Sequence, residues 1–412
     1  MKDAKDLIPW KVTDLPLRPF EDYWSFNNSV HFDGEIWRCV LRCCDYAMPD
    51  GKTIRSKGAR SVGQQTKNAM VILDPTSWRP IQIYKMHERD GLPRASTPHV
   101  GYEDMRLFKT DKGGLQGIAA SLHLKREARA VDGMLPHQPP EQVLLSFDDN
   151  YDIVDAHPIR GEKFSGTAQK NWVPFDHCAE PRFLYSIDKG LMFDDRGALL
   201  GDDAQVRPST SARPISLSLV VPRDPAPLPE TAPREVAPLP EAAREDRHAR
   251  SKQPDRKKMR RGGRLVLDTQ VSRPSARPSS RPSSRSSSRT VTDASTRVMS
   301  GGRTLVPKYA GLRGGSQLVR VGDDAWLGIG HAMMFVNHKK YYWHVFYLVD
   351  SRGKMTAASE SIKLAPNGIE FAAGMAIDGD RVVISFGVDD MECKLGETSL
   401  AAVLEQLKPI AP

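Results

Sequence analysis

Apolar residues along this chain fall in short runs broken by turn chemistry roughly every ten positions. The stretches 29–32, 36–41, 69–73, 81–85, 115–122, 142–147, 183–187, 191–193, 317–321, 326–331, 341–349, 374–377 and 381–386 are of this kind. Between them stand Asp33-Gly34, Asp74-Pro75, Asp111-Lys112-Gly113, Gly322-Asp323-Asp324 and Asp378-Gly379-Asp380. Asp and Gly supply the backbone conformations that hairpin turns require, so the pattern predicts many short antiparallel strands. Helical spacing is found only near the end, over 399–407. An all-β fold follows, as a sandwich, a barrel or a propeller. Roughly sixteen to twenty strand candidates exceed what one sandwich uses and match about five four-stranded blades. The polar residues suited to chemistry are spread along the whole chain, and a radial fold is one that gathers such residues at a central channel. The expected fold class is therefore an all-β five-bladed β-propeller.

Composition adds an interruption. Residues 204–298 hold 20 Lys+Arg, 9 Asp+Glu, 13 Pro, 15 Ser and no aromatic residue. The chain's +8 less this segment's +11 leaves −3 on the other 317 residues. So little apolar surface cannot offset the entropy of ordering a chain, and a long disordered basic insert is expected here. The expected organisation is 1–203 as the first part of the propeller, 204–298 as the insert, and 299–412 as the remainder with a short C-terminal helix. A long excursion between blades costs little more to close than a short one. The basic insert lacks the aromatic interleaving of a nucleic-acid surface, so its charge points at most to non-specific nucleic-acid or kinase contact, or to a solvated spacer. No apolar run is long enough for a membrane span, and the start, MKDAKDLIPWKVTDL, has no secretory core. Five scattered cysteines (Cys39, Cys43, Cys44, Cys178, Cys393) fit a reducing cytoplasm rather than a disulfide framework.

Several segments carry candidate chemistry. Gly101-Tyr102-Glu103-Asp104-Met105-Arg106 places two carboxylates and a guanidinium just before a strand. Alternation sends Asp104 and Arg106 to one face and Glu103 to the other. An Asp beside a guanidinium is held ionised, or serves as a hydrogen-bonded acid once substrate arrives, or is a structural ion pair. Lys170-Asn171-Trp172 offers an amine, an amide and a ring, a mixture suited to sugars or to an ordinary turn. In Arg313-Gly314-Gly315-Ser316-Gln317, backbone amides around the glycines either cradle an anion or form a tight loop. It is not a Walker loop, and no cofactor is called for. His331, His338 and His344 match no compact zinc spacing, and Cys39, Cys43 and Cys44 read as buried filler, so no metal is expected at these positions. Asp389 and Asp390 follow an apolar strand and stand at its end.

Taken in order, these segments resemble the five-bladed β-propeller glycosidase and glycoside-phosphorylase group, especially the mannoside phosphorylases and related mannosyltransferases. Glu103-Asp104-Met105-Arg106 is similar to the group's Glu-Asp-Pro-Arg signature, with Met105 in place of Pro, and Lys170-Asn171-Trp172 to its Lys-Asn-Trp segment. The resemblance covers about residues 25–195 and 300–395. It implies Asp104 as proton donor, and Arg42, Lys170 and His331 as phosphate-binding residues, to which the Gly-rich loop adds Arg313. Arg106, Asn171, Trp172, Gln317, Asp389 and Asp390 would bind substrate. The implied partners are a glycan or sugar acceptor with inorganic phosphate or a sugar nucleotide. Glu103, Glu180 and Glu370 stay without a place, which favours phosphate or sugar-nucleotide chemistry over hydrolysis. A glycan-binding propeller without catalysis is the rival class.

Overall fold

The runs bounded by Asp-Gly chemistry form hairpins. Three sheets are antiparallel four-strand assemblies in which most neighbours in sequence are neighbours in space. The first sheet takes Trp24–Phe32, Trp37–Cys44, Thr66–Leu73 and Pro80–Lys85. The second takes Tyr102–Thr110, Gly114–Ser121, Glu141–Phe147 and Ile153–Pro158. A third, three-stranded sheet joins Val173–Pro174, Arg182–Ser186 and Leu191–Asp194. The fourth is eight-stranded and built on the long hairpin Ala325–Val336 with Lys339–Val349. In the fifth, Glu370–Asp378, Arg381–Val388 and Glu392–Ser399 are completed by Lys11–Asp14, which pairs antiparallel on the outer side. An N-terminal strand thus closes the last sheet.

The computed structural model describes residues 2–49, 52–56, 64–92, 100–121, 140–161, 169–201, 204–208, 309, 311–336, 339–365 and 368–410. Together they show an all-β protein with a propeller-like arrangement of sheets. Five sheets have three or more strands among the described residues, but only three keep the expected four-strand form. The strand Trp24–Phe32 packs against both Tyr102–Thr110 and Glu370–Asp378, and Tyr102–Thr110 also meets Val173–Pro174. These are the inner strands.

Two features depart from the sequence reading. The Glu103–Arg106 segment lies inside a strand rather than before one. The insert also begins later than composition implies. Val206 is 3% exposed and packs in the core of the third and fourth sheets, and its amide donates to Ser351 O at 2.8 Å. Residues 204–208 are therefore part of the fold, and most of the basic insert lies outside the described residues. The helix is Leu400–Glu405, capped by the Ser399 side chain accepting from the Ala402 amide at 3.1 Å. All five cysteines are free and buried, as filler should be.

Candidate functional site

Three strands that pack on one another are bulged. In Trp24–Phe32 the pairing slips between Phe26 and Ser29; in Tyr102–Thr110 it slips opposite Ile118 and Ala120; in Glu370–Asp378 it slips between Ala372 and Gly374. A bulge inserts a residue without a ladder partner and re-aims side chains, which is why bulges collect beside functional sites. Asn27 and Asp104 occupy the first two, with φ of 48° and 50°. Asn171, Asp389 and Asp390 have positive φ as well, at 64°, 53° and 47°. Asn and Asp tolerate this region better than most residues.

The bulge overturns the alternation expected for Glu103 and Asp104. Both carboxylates reach Arg42, Asp104 at 2.8 Å and Glu103 at 3.4 Å. Glu103 also takes Lys170 at 2.8 Å and the Gln64 amide at 3.0 Å. Asp104 accepts from Asn27 Nδ2 at 2.9 Å. Burial pushes the Asp104 carboxyl up, but Arg42, Lys170, Asn27 and Arg106 outweigh it and hold the pKa at about 2. Glu103 is lowered for a similar reason, burial being outweighed by Arg42 and Lys170. The free site carries two ionised carboxylates.

Arg106 is 1% exposed and ties three segments together. It donates to the carbonyls of Asp104 (3.0 Å), Gly314 (3.3 Å) and Gly315, and to Asn171 Oδ1 at 3.2 Å. Burial lowers its pKa to about 10, so it stays charged at neutral pH. The carbonyls of the Gly-Gly loop thus accept from a guanidinium. Its glycines serve close approach: a Cβ on Gly314 would lie 2.2 Å from Asn171 O, and one on Gly315 2.3 Å from Ile329 O.

His331 is 3% exposed, with its ring 4.9 Å from Phe371 and 5.6 Å from Tyr342 between centroids. Burial first, then His344, Arg106 and Arg313, lower its pKa well below the ordinary value, with Asp104 acting in the other direction. It is neutral at pH 7, a hydrogen-bonding group rather than a cation for phosphate. Arg313 is exposed on a two-residue strand, Arg313–Gly314, whose partner across the ladder is His331. Asp390 bears electrostatically on Tyr46 and Tyr342, and Asp104 and Arg313 also bear on Tyr342. Asp389 Oδ1 accepts from the Ile369 amide at 2.7 Å and its own amide donates to Ile369 O at 2.8 Å, which ties it to the start of the neighbouring strand. Arg42, Lys170, Asp104, Arg106, Asn171, His331, Arg313 and Asp390 therefore form one neighbourhood.

Two expected substrate ligands do not join it. Trp172 is 0% exposed, among Phe108, Phe183 and Phe193, and its indole N–H donates to Gln169 Oε1 at 3.2 Å. A fully buried ring offers no face to a sugar. Gln317, also 0% exposed, donates to Val30 O (2.8 Å) and Met375 O (2.6 Å) and accepts from Met375 N (3.3 Å). Its amide pins inner strands together. Arg42 departs from its expected role in part: 5% exposed, it is held by Asp104, Glu103 and Tyr46. Of the unplaced glutamates only Glu103 lies here. Glu180 is on the surface with Lys112 and Arg182, and Glu370 is sealed beside His344 at 3.7 Å. His338 is outside the described residues.

Sequence reading missed Asn27, Tyr46, Tyr342 and Phe371. Asn27-Asn28 in the middle of a strand, where Asn is disfavoured, is a bulge signal that the periodicity count passes over. A cleft of about 530 Å³ lies elsewhere, lined by residues 9–11, 380–381 and 397–399. Its charges are already matched, since Lys11 and Arg381 both pair with Glu397.

The fold and these side chains define a propeller-like all-β protein with a charged site built largely on strands. No family model matches the chain, and no curated protein matches it by sequence. Solved structures do match its fold. A glycosyl hydrolase from Bacteroides ovatus is 9% identical, with 99% of this chain and 94% of that chain covered and a TM-score of 0.50. A β-1,2-mannobiose phosphorylase from Listeria innocua is 10% identical over 96% of each chain, with a TM-score of 0.45. A mannose phosphorylase from Leishmania mexicana, solved with a phosphate ion, is 8% identical over 97% of this chain and 91% of that one, with a TM-score of 0.43. Among the described residues no helix is long and apolar enough to cross a membrane.

Proposed function

We propose that the chain is a glycosyl-transferring enzyme, a glycoside phosphorylase or a nucleotide-sugar-dependent transferase acting on a hexose of the mannose type. Asp104 is the proton donor in this reading. The observation that carries it is the convergence of Asp104 and Arg106, on one bulged strand of the second sheet, with Arg42 of the first sheet and Lys170 of the loop before Val173–Pro174. Likeness at 9% identity carries the fold, so the activity rests on these residues and on the sequence resemblance.

The chemistry is glycosidic exchange. The bond from the anomeric carbon to the bridging oxygen breaks through an oxocarbenium-like state, and a phosphate oxygen bonds to that carbon. Asp104 gives its proton to the departing oxygen. Near pKa 2 it is ionised in the free protein, so it must gain that proton when the ligand binds. A phosphate drawn to Lys170 and Arg313 supplies the means, because its charge offsets the cations that hold Asp104 ionised. Glu103, held by Arg42, Lys170 and Gln64, is an anchor for those cations and a poor base for activating water. That supports exchange over hydrolysis.

A second reading is a glycan-binding protein without catalysis. It is favoured by the closed ion pairs around Arg42, which must open before an anion enters. The test offers mannose-1-phosphate and GDP-mannose separately with a panel of acceptor sugars. Glycosyl transfer that falls about 10²–10⁴-fold in Asp104→Asn supports the enzyme. Binding with no turnover, or turnover unchanged in that variant, overturns it.

A further inference from the structure

His31 lies on the same inner strand as Asn27, four residues further along and hence about 13 Å from the Asp104 end. There it meets a second constellation, from two parts of the chain. His31 Nε2 is 3.1 Å from Asp176 Oδ1, and His177 Nε2 is 3.9 Å from Asp176 Oδ2. All three ligand atoms lie within 4.8 Å of one another. His31 is 0% exposed and Asp176 2% exposed, while the His177 side chain is 20% exposed.

The carboxylate is oriented for more than a salt bridge. Asp176 Oδ1 accepts from the Lys109 amide at 2.8 Å and the His177 amide at 3.0 Å, besides facing His31. Those bonds fix the carboxylate plane, as partners of a metal-ligating carboxylate do. Oδ2 accepts no hydrogen bond among the described residues and faces His177. Independently, His31 Nδ1 is buried with no partner among the described residues. Burying such an orphan is costly. His31 therefore makes its polar contact through Nε2 alone, the nitrogen that faces Asp176.

The geometry points to a site for one zinc-class divalent ion held by His31, Asp176 and His177. Two imidazoles and a carboxylate are a donor set for zinc or a neighbouring transition metal, leaving a fourth position for water. The two imidazole centroids are 5.9 Å apart with ring planes 18° from parallel. Rings sharing one ion at about 2.1 Å per nitrogen have centroids about 5–6 Å apart. Ligand atoms around a tetrahedral zinc stand about 3.4 Å apart. The His31–Asp176 pair is already near that spacing, and the part-exposed His177 side chain is the one that swings in. The bound ion joins the first sheet's inner strand to the segment after Val173–Pro174. It acts in that segment and takes no part in the chemistry at Asp104.

The experiment strips the full chain with a chelator and titrates zinc chloride alone. Stoichiometry is read by metal analysis, affinity by calorimetry and stability by thermal unfolding. One ion per chain and a raised Tm are expected. His177→Asn keeps a residue that tolerates the φ of 52° and removes an imidazole from a part-exposed position, so it should fold. It should weaken zinc binding at least tenfold and cancel the rise in Tm, whereas His157→Asn, at an exposed histidine elsewhere, should change neither. Failure to retain zinc, or binding that survives His177→Asn, overturns the site.

Discussion

Asn27 donates its side-chain amide to Asp104 Oδ1 at 2.9 Å across 77 residues of sequence, and both residues sit at strand bulges with positive φ. A bulge in one inner strand aims a donor at an acceptor that a bulge in the next has turned toward it. The pairing helps keep Asp104 ionised in the free protein.

Stability in acid follows from that ionisation. Asp104 has a folded pKa of about 2 against an ordinary 3.8, so it adds stability that is complete above the unfolded value. The contribution fades as pH falls from about 4 toward 2, and a shift of near two units corresponds to about 2–3 kcal/mol. Glu103 is shifted in the same direction and adds to the same limb. Urea unfolding at pH 7, 4 and 2.5 should show the native protein losing stability faster than Asp104→Asn over the lowest interval. Parallel profiles would mean that Asp104 is not held ionised by Arg42.

Trp172 tests core against sugar platform. Its ring stacks on Phe193 at 5.4 Å and meets Tyr185 edge-on at 5.7 Å, with no exposed surface. Trp172→Ala should cost about 3–5 kcal/mol through lost burial and a cavity. Trp172→Phe, a smaller loss, should lower Tm without moving the affinity for any sugar that binds. A selective rise in KM with Tm unchanged would restore the ring to the site.

Gln317→Leu keeps the approximate volume but strands the carbonyls of Val30 and Met375 and the Met375 amide. Each buried group left unpaired costs about 1–3 kcal/mol, so a loss of several kcal/mol is expected from denaturant unfolding. A loss below about 1 kcal/mol would show that the amide is not pinning the inner strands.

The all-β class was legible because Asp-Gly turns and short apolar runs are local signals. Asp104, Arg106, Asn171 and Lys170 were legible because charged and amide residues inside or beside an apolar run must have a reason to be there. Trp172 and Gln317 misled for the converse reason. A ring or an amide beside a motif looks like a ligand until burial is known, and burial depends on which sheets meet. The joint approach of Glu103 and Asp104 to Arg42 depends on a one-residue slip opposite Ala119, which alternation cannot foresee. Tyr342 and Phe371 become neighbours of the site only through the packing of separate sheets, so no window of sequence holds them together, whereas Tyr46 stands only four residues from Arg42.

The charge of the basic segment and the charge of the site should prove separable. Residues 204–298 carry a net +11, which attracts any phosphate-bearing ligand non-specifically. Lys170 and Arg313, by contrast, are exposed cations beside Asp104 and His331. Replacing 209–308 with a short Gly/Ser linker keeps the folded 204–208 segment and removes nearly all of that charge. Phosphate and GDP titrated into this shortened chain should still bind, with an affinity that falls as salt rises, because attraction between exposed charges is screened. Lys170→Ala in the same background should weaken binding about three- to tenfold, the loss of one part-exposed charge-assisted contact. Binding should also take up protons near neutral pH, since the anion relieves the field that keeps Asp104 ionised; calorimetry in two buffers of different ionisation enthalpy reads that uptake directly. If the full chain binds and the shortened one does not, the anion affinity belongs to the basic segment, and the cations around Asp104 serve only to hold the inner strands together.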